Sequence, residues 1–234
     1  MRYTLYGSPD SANLVIRMVL HELGQSYNSE WLDRSKRAHK QSDYLAMNPQ
    51  GLIPVLTDHG QPIFETAAIA LHLCDEHGHL APREGMERAR FLQWLFYLSN
   101  TPHADLRARF YSDAYTEGGG AQAALRAGMG RRFDGHLQLI ERELAANASG
   151  PWFLGESLSV LDVYLAALCR WWQLYPPAEA AAPITAEALP NVHRLLSELA
   201  TRPAIINACA EEHIAQPLFI APKLPDLPMD RLIG

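Results

Sequence analysis

Residues 53–66 read Ile53-Pro54-Val55-Leu56-Thr57-Asp58-His59-Gly60-Gln61-Pro62-Ile63-Phe64-Glu65-Thr66. Two short runs of apolar and β-branched residues flank the turn residues Asp58-His59-Gly60, so the stretch predicts a β-hairpin. From Glu65 the pattern changes to a helix running to about His77. Upstream, Tyr3-Thr4-Leu5-Tyr6 predicts a short strand closed by Gly7-Ser8-Pro9. An amphipathic helix follows, with Val15, Met18, Val19 and Leu23 on one face and Gly24 just past its end. Tyr27 to Leu32 predicts a second strand, and residues 33–47 are polar with one short helix near Tyr44. The order is βαβ(α)ββα: one parallel crossover, which the handedness of sheets makes right-handed, and then an antiparallel hairpin.

Outward from there, Gly78 to Gly85 with Pro82 inside predicts a linker, so the chain divides into 1–80 and 86–234. Everything beyond is helical in pattern: about Met86–Ala114, kinked at Pro102, then Ala121–Ala146, Ser159–Trp172, Leu189–Ala200 and Pro203–Glu212. Gly118-Gly119-Gly120 is expected to be a flexible connector, and the Pro-rich tail from Pro217 an extended surface strip. The helix after Ser159 is apolar nearly all round, which places it at the centre of a bundle. Ser159 and Asp162 have the N-cap and N3 spacing of a capping box, and Leu158 and Val163 that of a hydrophobic staple. The fold class is therefore α/β plus all-α: a small mixed-sheet domain followed by an all-helical bundle.

The 234 residues, 48% apolar and 20% charged, are ordinary for a globular enzyme. A net charge of −6 without a Lys/Arg run argues against nucleic acid as a partner. No run of 18 apolar residues predicts a membrane span, and Met1 to Tyr6 is too short and polar for a signal segment. Cys74, Cys169 and Cys209 are odd in number and include no Cys-x-x-Cys, so they are expected to be reduced core thiols of a cytoplasmic protein. His77-x-His79 lacks further ligands, so no metal is expected.

Four motifs in order carry a resemblance. Leu5-Tyr6-Gly7-Ser8-Pro9-x-Ser11 leads into the first helix, and Asn48-Pro49-Gln50-Gly51-x-Ile53-Pro54-Val55-Leu56 leads into the hairpin. Phe64-Glu65-Thr66-x-x-Ile69 opens the next helix, and Ser159-x-x-Asp162 opens the apolar one. Together they resemble the cytosolic glutathione transferases over nearly the whole chain, nearest the bacterial, beta-like and theta-like groups. The resemblance implies a thioredoxin-like N-terminal domain, a helical C-terminal domain with a hydrophobic pocket, and a homodimer. It implies glutathione as co-substrate and a small electrophile as its partner, in a detoxification role. Trp94 to Phe110, with His103 inside, is similar to the beta-class helix bearing a site-facing histidine. Ser11-Ala12-Asn13 has no Cys where the beta enzymes carry one, which argues against a mixed-disulfide mechanism and for a serine type.

The chemistry sets what each residue must supply. A free thiol has a pKa of about 8.5, and only the thiolate attacks. Lowering it to about 6.5 needs roughly 2.7 kcal/mol. A single hydrogen bond to a charged acceptor contributes about 1.5–3 kcal/mol, so one well-placed donor suffices. Ser11, at the expected N-cap of the first helix, is the leading donor; its plain alternative is a cap whose hydroxyl is spent on the backbone. Asn13 through its amide and Tyr6 through its phenol are the other candidates. By resemblance, the Thr66 hydroxyl and N–H at the helix start take the γ-glutamyl carboxylate, and Glu65 helps hold the amine. Ile53, before a cis Pro54, pairs with the ligand backbone. Gln50 takes a carboxylate end, and His39, beside Lys36 and Lys40, is a candidate for the glycyl carboxylate. His103, Arg107, Phe110 and Tyr111 are candidates for the electrophile pocket, with Trp171 and Trp172 helping to close it. Asp105 is a candidate for a ligand amine across a dimer interface. The rival readings are a non-catalytic glutathione-binding stress or regulatory protein, and a glutathione-dependent thiol oxidoreductase or peroxidase.

Overall fold

The structure is a computed structural model, and it describes residues 1–147 and 149–228. The chain forms two compact units. One holds Met1–Arg83, Thr201–Leu218 and the stretch from Lys223; the other holds Glu84–Ala200 and Phe219–Pro222. The division differs from the expected 1–80 and 86–234 because the end of the chain returns to the first unit.

In the first unit, β1 (Tyr3–Gly7), α1 (Asn13–Glu22), β2 (Tyr27–Trp31), α2 (Ser42–Met47), β3 (Val55–Asp58), β4 (Gln61–Phe64) and α3 (Thr66–His77) follow in chain order. The sheet order is β2-β1-β3-β4, with β1 parallel to β2 and antiparallel to β3. The β3–β4 hairpin turns at His59-Gly60, with φ values of 49° and 79°. That pair of left-handed residues gives the twist a two-residue hairpin prefers. The expected amphipathic α1 is in fact buried from Asn13 to Leu20 without a break. It packs on β1, on α3 and on α9 (Pro203–Glu211), so the face left polar in the pattern is covered by the returning helix. The Ile53-Pro54 bond is cis.

The second unit holds α4 (Gly85–Asn100), α5 (Pro102–Phe110), α6 (Gly119–Ala146), α7 (Val160–Leu174) and α8 (Pro190–Leu199). The single helix expected over 86–114 is two, broken at Thr101 with Pro102 in the first turn of α5, where a missing N–H costs nothing. The glycines expected to be a connector begin α6: Gly118 is its N-cap and Gly119 its first residue. All fifteen residues of α7 are buried. Both halves of the capping box at Ser159 and Asp162 form, and Asp162 Oδ1 also accepts the Phe153 N–H at 2.6 Å. The tail is not the expected surface strip, since Leu218 and Phe219 are buried. Gln173 of α7 donates to the Phe219 carbonyl at 2.8 Å and accepts the Ala221 N–H. Among the described residues no helix is long and apolar enough to cross a membrane. Cys74, Cys169 and Cys209 are unbridged and buried, and burial pushes the Cys169 thiol up.

Candidate functional site

The loop from β1 into α1 is built around Asn13. Its Oδ1 accepts the Ser8 N–H at 3.0 Å and the Ser11 hydroxyl at 2.6 Å. Its Nδ2 donates to Glu212 Oε1 at 2.6 Å. Because a backbone N–H can only donate and a carboxylate accepts, the amide has one orientation. The Ser11 hydroxyl has a second acceptor in the Ser8 carbonyl at 2.8 Å. Gly7 is required for contact rather than for its backbone angles: a Cβ there would lie 2.3 Å from Asn13 Cγ.

One expectation changes here. Ser11 is not the N-cap of α1; Ala12 is, and no side chain caps that end. Only the Ser11 carbonyl takes part, accepting the Leu14 N–H at 2.8 Å. Ser11 itself is half-buried. Asn13 is fully buried, with one hydrogen of its amide nitrogen donated to Glu212 and its oxygen holding the Ser11 hydroxyl. Tyr6 lies with its ring edge toward Tyr44, 6.4 Å between centroids.

Glu212, just past α9, is a residue the pattern did not mark. It is fully buried and accepts the Asp10 N–H at 2.8 Å and Arg17 Nε at 2.9 Å besides Asn13. Burial pushes its carboxyl up to about 7, against the pull of Arg17 and of the donors on its oxygens. Arg17 is equally buried; it also donates to Glu211, Tyr27 and Ser29, and lies 4.4 Å over the Trp31 ring. Asp10 has φ 53°, a left-handed turn that aspartate tolerates better than most residues.

The second cluster in this unit surrounds the start of α3. Glu65 has φ 73° and precedes Thr66, which is buried at the first helical position. No side chain caps this end, so its free N–H groups and positive dipole remain available to an anion. Gln50 Nε2 donates to Glu65 Oε1 at 2.9 Å, and Lys40 Nζ to the Gln50 carbonyl at 3.0 Å. Pro54 is buried and Ile53 half-buried. His39 Nδ1 is buried without a hydrogen-bond partner among the described residues. Burial, then Arg34, Lys40 and Arg37, pull the His39 ring down to about 4. Lys36 instead pairs with Asp33 at 3.3 Å in an exposed position.

The candidates for the electrophile pocket all lie in the second unit. His103 Nδ1 is 2.7 Å from the Tyr164 hydroxyl, and its ring tilts on Trp171. Burial, then Arg107, holds the His103 ring down to about 4, so near neutrality it is uncharged. Arg107 is exposed and donates to the Tyr115 hydroxyl at 2.6 Å. Phe110 meets Tyr111 and Tyr175 edge to face. Trp172 stacks on Phe133. Asp105 is committed within its own unit: its Oδ2 accepts Arg132 Nε and His136 Nε2, each at 2.8 Å. Among the described residues no group of His, Cys, Asp and Glu is placed to hold a metal.

Comparison with known proteins fits this geometry. The family model described as "Glutathione S-transferase, N-terminal domain" matches residues 1–75, and that described as "Glutathione S-transferase, C-terminal domain" matches residues 122–198. The chain is similar to glutathione S-transferase GstA of Escherichia coli O157:H7, 26% identical over 213 residues, covering 89% of this chain and 98% of the relative. Over a shorter stretch it is 35% identical to the transcriptional regulator URE2 of Saccharomyces cerevisiae, covering 32% of this chain and 22% of that one. Among solved structures, a glutathione transferase homolog from Sulfitobacter with bound glutathione superposes with a TM-score of 0.77 at 21% identity, covering 90% of this chain and 99% of that chain.

Proposed function

The chain belongs to the glutathione S-transferase family, and on that premise we propose that it binds glutathione at the first unit and transfers its thiolate to a small electrophile. Thr66 and the open end of α3 take the γ-glutamyl carboxylate, with Glu65 and Gln50 beside them. Ile53, ahead of cis Pro54, pairs with the cysteinyl backbone, and His39 is the candidate for the glycyl carboxylate. Ser11 donates its hydroxyl hydrogen to the sulfur. The thiol proton leaves to solvent, the sulfur forms a bond to the electrophilic carbon, and the leaving group departs with its electron pair. The electrophile is assigned to the helical unit, with His103, Arg107, Phe110 and Tyr111 as its contacts, and the assembly to a homodimer in the cytoplasm.

The observation that carries this reading is the half-buried Ser11 hydroxyl, held 2.6 Å from Asn13 Oδ1. Its acceptors, the Ser8 carbonyl and Asn13 Oδ1, are neutral oxygens. A thiolate competes well for its hydrogen, because hydrogen bonds to charged acceptors are worth about 1.5–3 kcal/mol against about 1 kcal/mol for neutral ones. The test is the ultraviolet thiolate band of bound glutathione against pH. Wild type is expected to hold the thiol well below its free value of about 8.5, and Ser11→Ala to move it back up by about one unit. Binding without a shift in wild type would leave a glutathione binder that is not a transferase, the reading the partial URE2 likeness favours.

A further inference from the structure

We propose that Glu212 is a positioning residue for the thiol: one buried carboxylate clamps the loop on both sides of Ser11. The proposal rests on the Ser11 reading above and extends it to a residue at the far end of the sequence. Oε2 accepts the backbone N–H of Asp10, the residue before Ser11, at 2.8 Å. Oε1 accepts the side-chain amide of Asn13, two residues after Ser11, at 2.6 Å. Arg17, one turn further along α1, anchors the same Oε1 at 2.9 Å.

The loop turns through a left-handed Asp10 into an uncapped helix, and within it the Ser11 oxygen is held by the Ser8 carbonyl and by Asn13, itself tied to Glu212. Glu212 braces that arrangement by holding the backbone on one side and, through Asn13, the oxygen that receives the Ser11 hydroxyl on the other. The charged groups around the carboxylate are Arg17, which neutralises it, and Asp10, a like charge that burial alone would not tolerate. A hydrogen-bond donor set of two N–H groups and a guanidinium against two oxygens requires a carboxylate. Glutamine has one oxygen, so wherever its NH2 falls it faces a donor: Asp10 N–H on one side, Asn13 and Arg17 on the other. Glu212→Gln therefore breaks one arm of the clamp while keeping shape and volume.

The experiment follows the thiolate band of bound glutathione against pH in the full chain, with affinity for S-methylglutathione, which has no thiol, measured in parallel. Glu212→Gln is expected to raise the bound thiol pKa by about half a unit, roughly a threefold fall in the thiolate-to-thiol ratio, while S-methylglutathione affinity stays within about twofold. Asn13→Ala, which cuts the second arm without touching the ion pair, is expected to shift it the same way and carries the test if Glu212→Gln does not fold. In a Ser11→Ala background neither change is expected to add anything, since both act through Ser11. Glu211→Gln removes the other carboxylate on Arg17 without touching the loop and is expected to leave the thiol as in wild type. An unchanged thiol pKa in both Glu212→Gln and Asn13→Ala, with Ser11→Ala still raising it, overturns the clamp and leaves the Ser11 reading standing. If Ser11→Ala itself moves nothing, that reading fails and the clamp has nothing to position.

Discussion

At Gly7 a single hydrogen atom separates a working loop from a clash. Alanine there would set its Cβ 2.3 Å from Asn13 Cγ, and neither backbone nor a buried amide tied to Glu212 can give way cheaply. Gly7→Ala is expected to cost about 1–3 kcal/mol in urea unfolding, the usual range for overpacking, and to raise the bound thiol pKa as Asn13 is displaced. The cis Pro54 was expected from the family resemblance of its short local motif, and the bond is cis. The sequence misled on what Ser11 and Asn13 do. A serine two residues before a helix reads as a cap, yet its hydroxyl points to Asn13 and its carbonyl carries the turn. The amide of Asn13 reads as a free donor until its partner, 199 residues away, is known. Arg17 was unreadable for the same reason: a lone basic residue within an apolar helix has no sign that two glutamates cover it.

Among the elements, α7 was the easiest to foresee and is the most exacting. Its apolar circumference and the Ser159/Asp162 spacing fixed both its central place and its start. Asp162 also accepts the Ser159 N–H at 2.8 Å, so Asp162→Ala would strand that group and the Phe153 N–H in the core. Urea unfolding is expected to show a loss of about 3 kcal/mol, since each stranded buried donor costs about 1–3 kcal/mol. Asp162→Asn, which keeps one acceptor oxygen, is expected to lose less. Boundaries were harder to read where two principles compete. Aromatic periodicity runs straight through Pro102, but the helix breaks at Thr101, where the proline can begin a new one. Three glycines suggested a connector, but only the first takes left-handed angles and the next begins α6.

Across the whole molecule, stability against acid has an identifiable contributor in the first unit. Asp58 accepts both Arg2 nitrogens, at 2.6 and 2.7 Å, and His72 at 2.8 Å. Arg2 beside it, and then His72, hold its carboxyl well below the usual carboxylate range. The folded state thus binds this proton less readily than the unfolded chain does. The stabilisation is complete above the unfolded pKa of about 4 and is lost as pH falls below it. Asp58→Asn is expected to be less stable than wild type by about 1 kcal/mol near neutrality, as for a partly exposed bidentate pair. The two unfolding curves should converge toward pH 2, and a constant difference down to that pH would refute the assignment. No local pattern foretold that residues 201–218 belong with residues 1–83. The tail looked like a strip of prolines because its buried anchors, Leu218 and Phe219, stand outside any periodic pattern, and the partner of the Phe219 carbonyl, Gln173, lies 46 residues away.

That return has a consequence in time. A ribosome releases Tyr3 through Thr66 long before it has made Glu212, so every residue of the loop from β1 into α1 exists while its buried carboxylate partner does not. Arg17 must wait, buried against nothing, or remain open to water until α9 arrives. The nascent chain therefore carries Ser11 and Asn13 for most of its synthesis without the carboxylate that holds their loop. Emergence of α9, rather than of the first eighty residues, is the event that completes the hydrogen bonding of that loop.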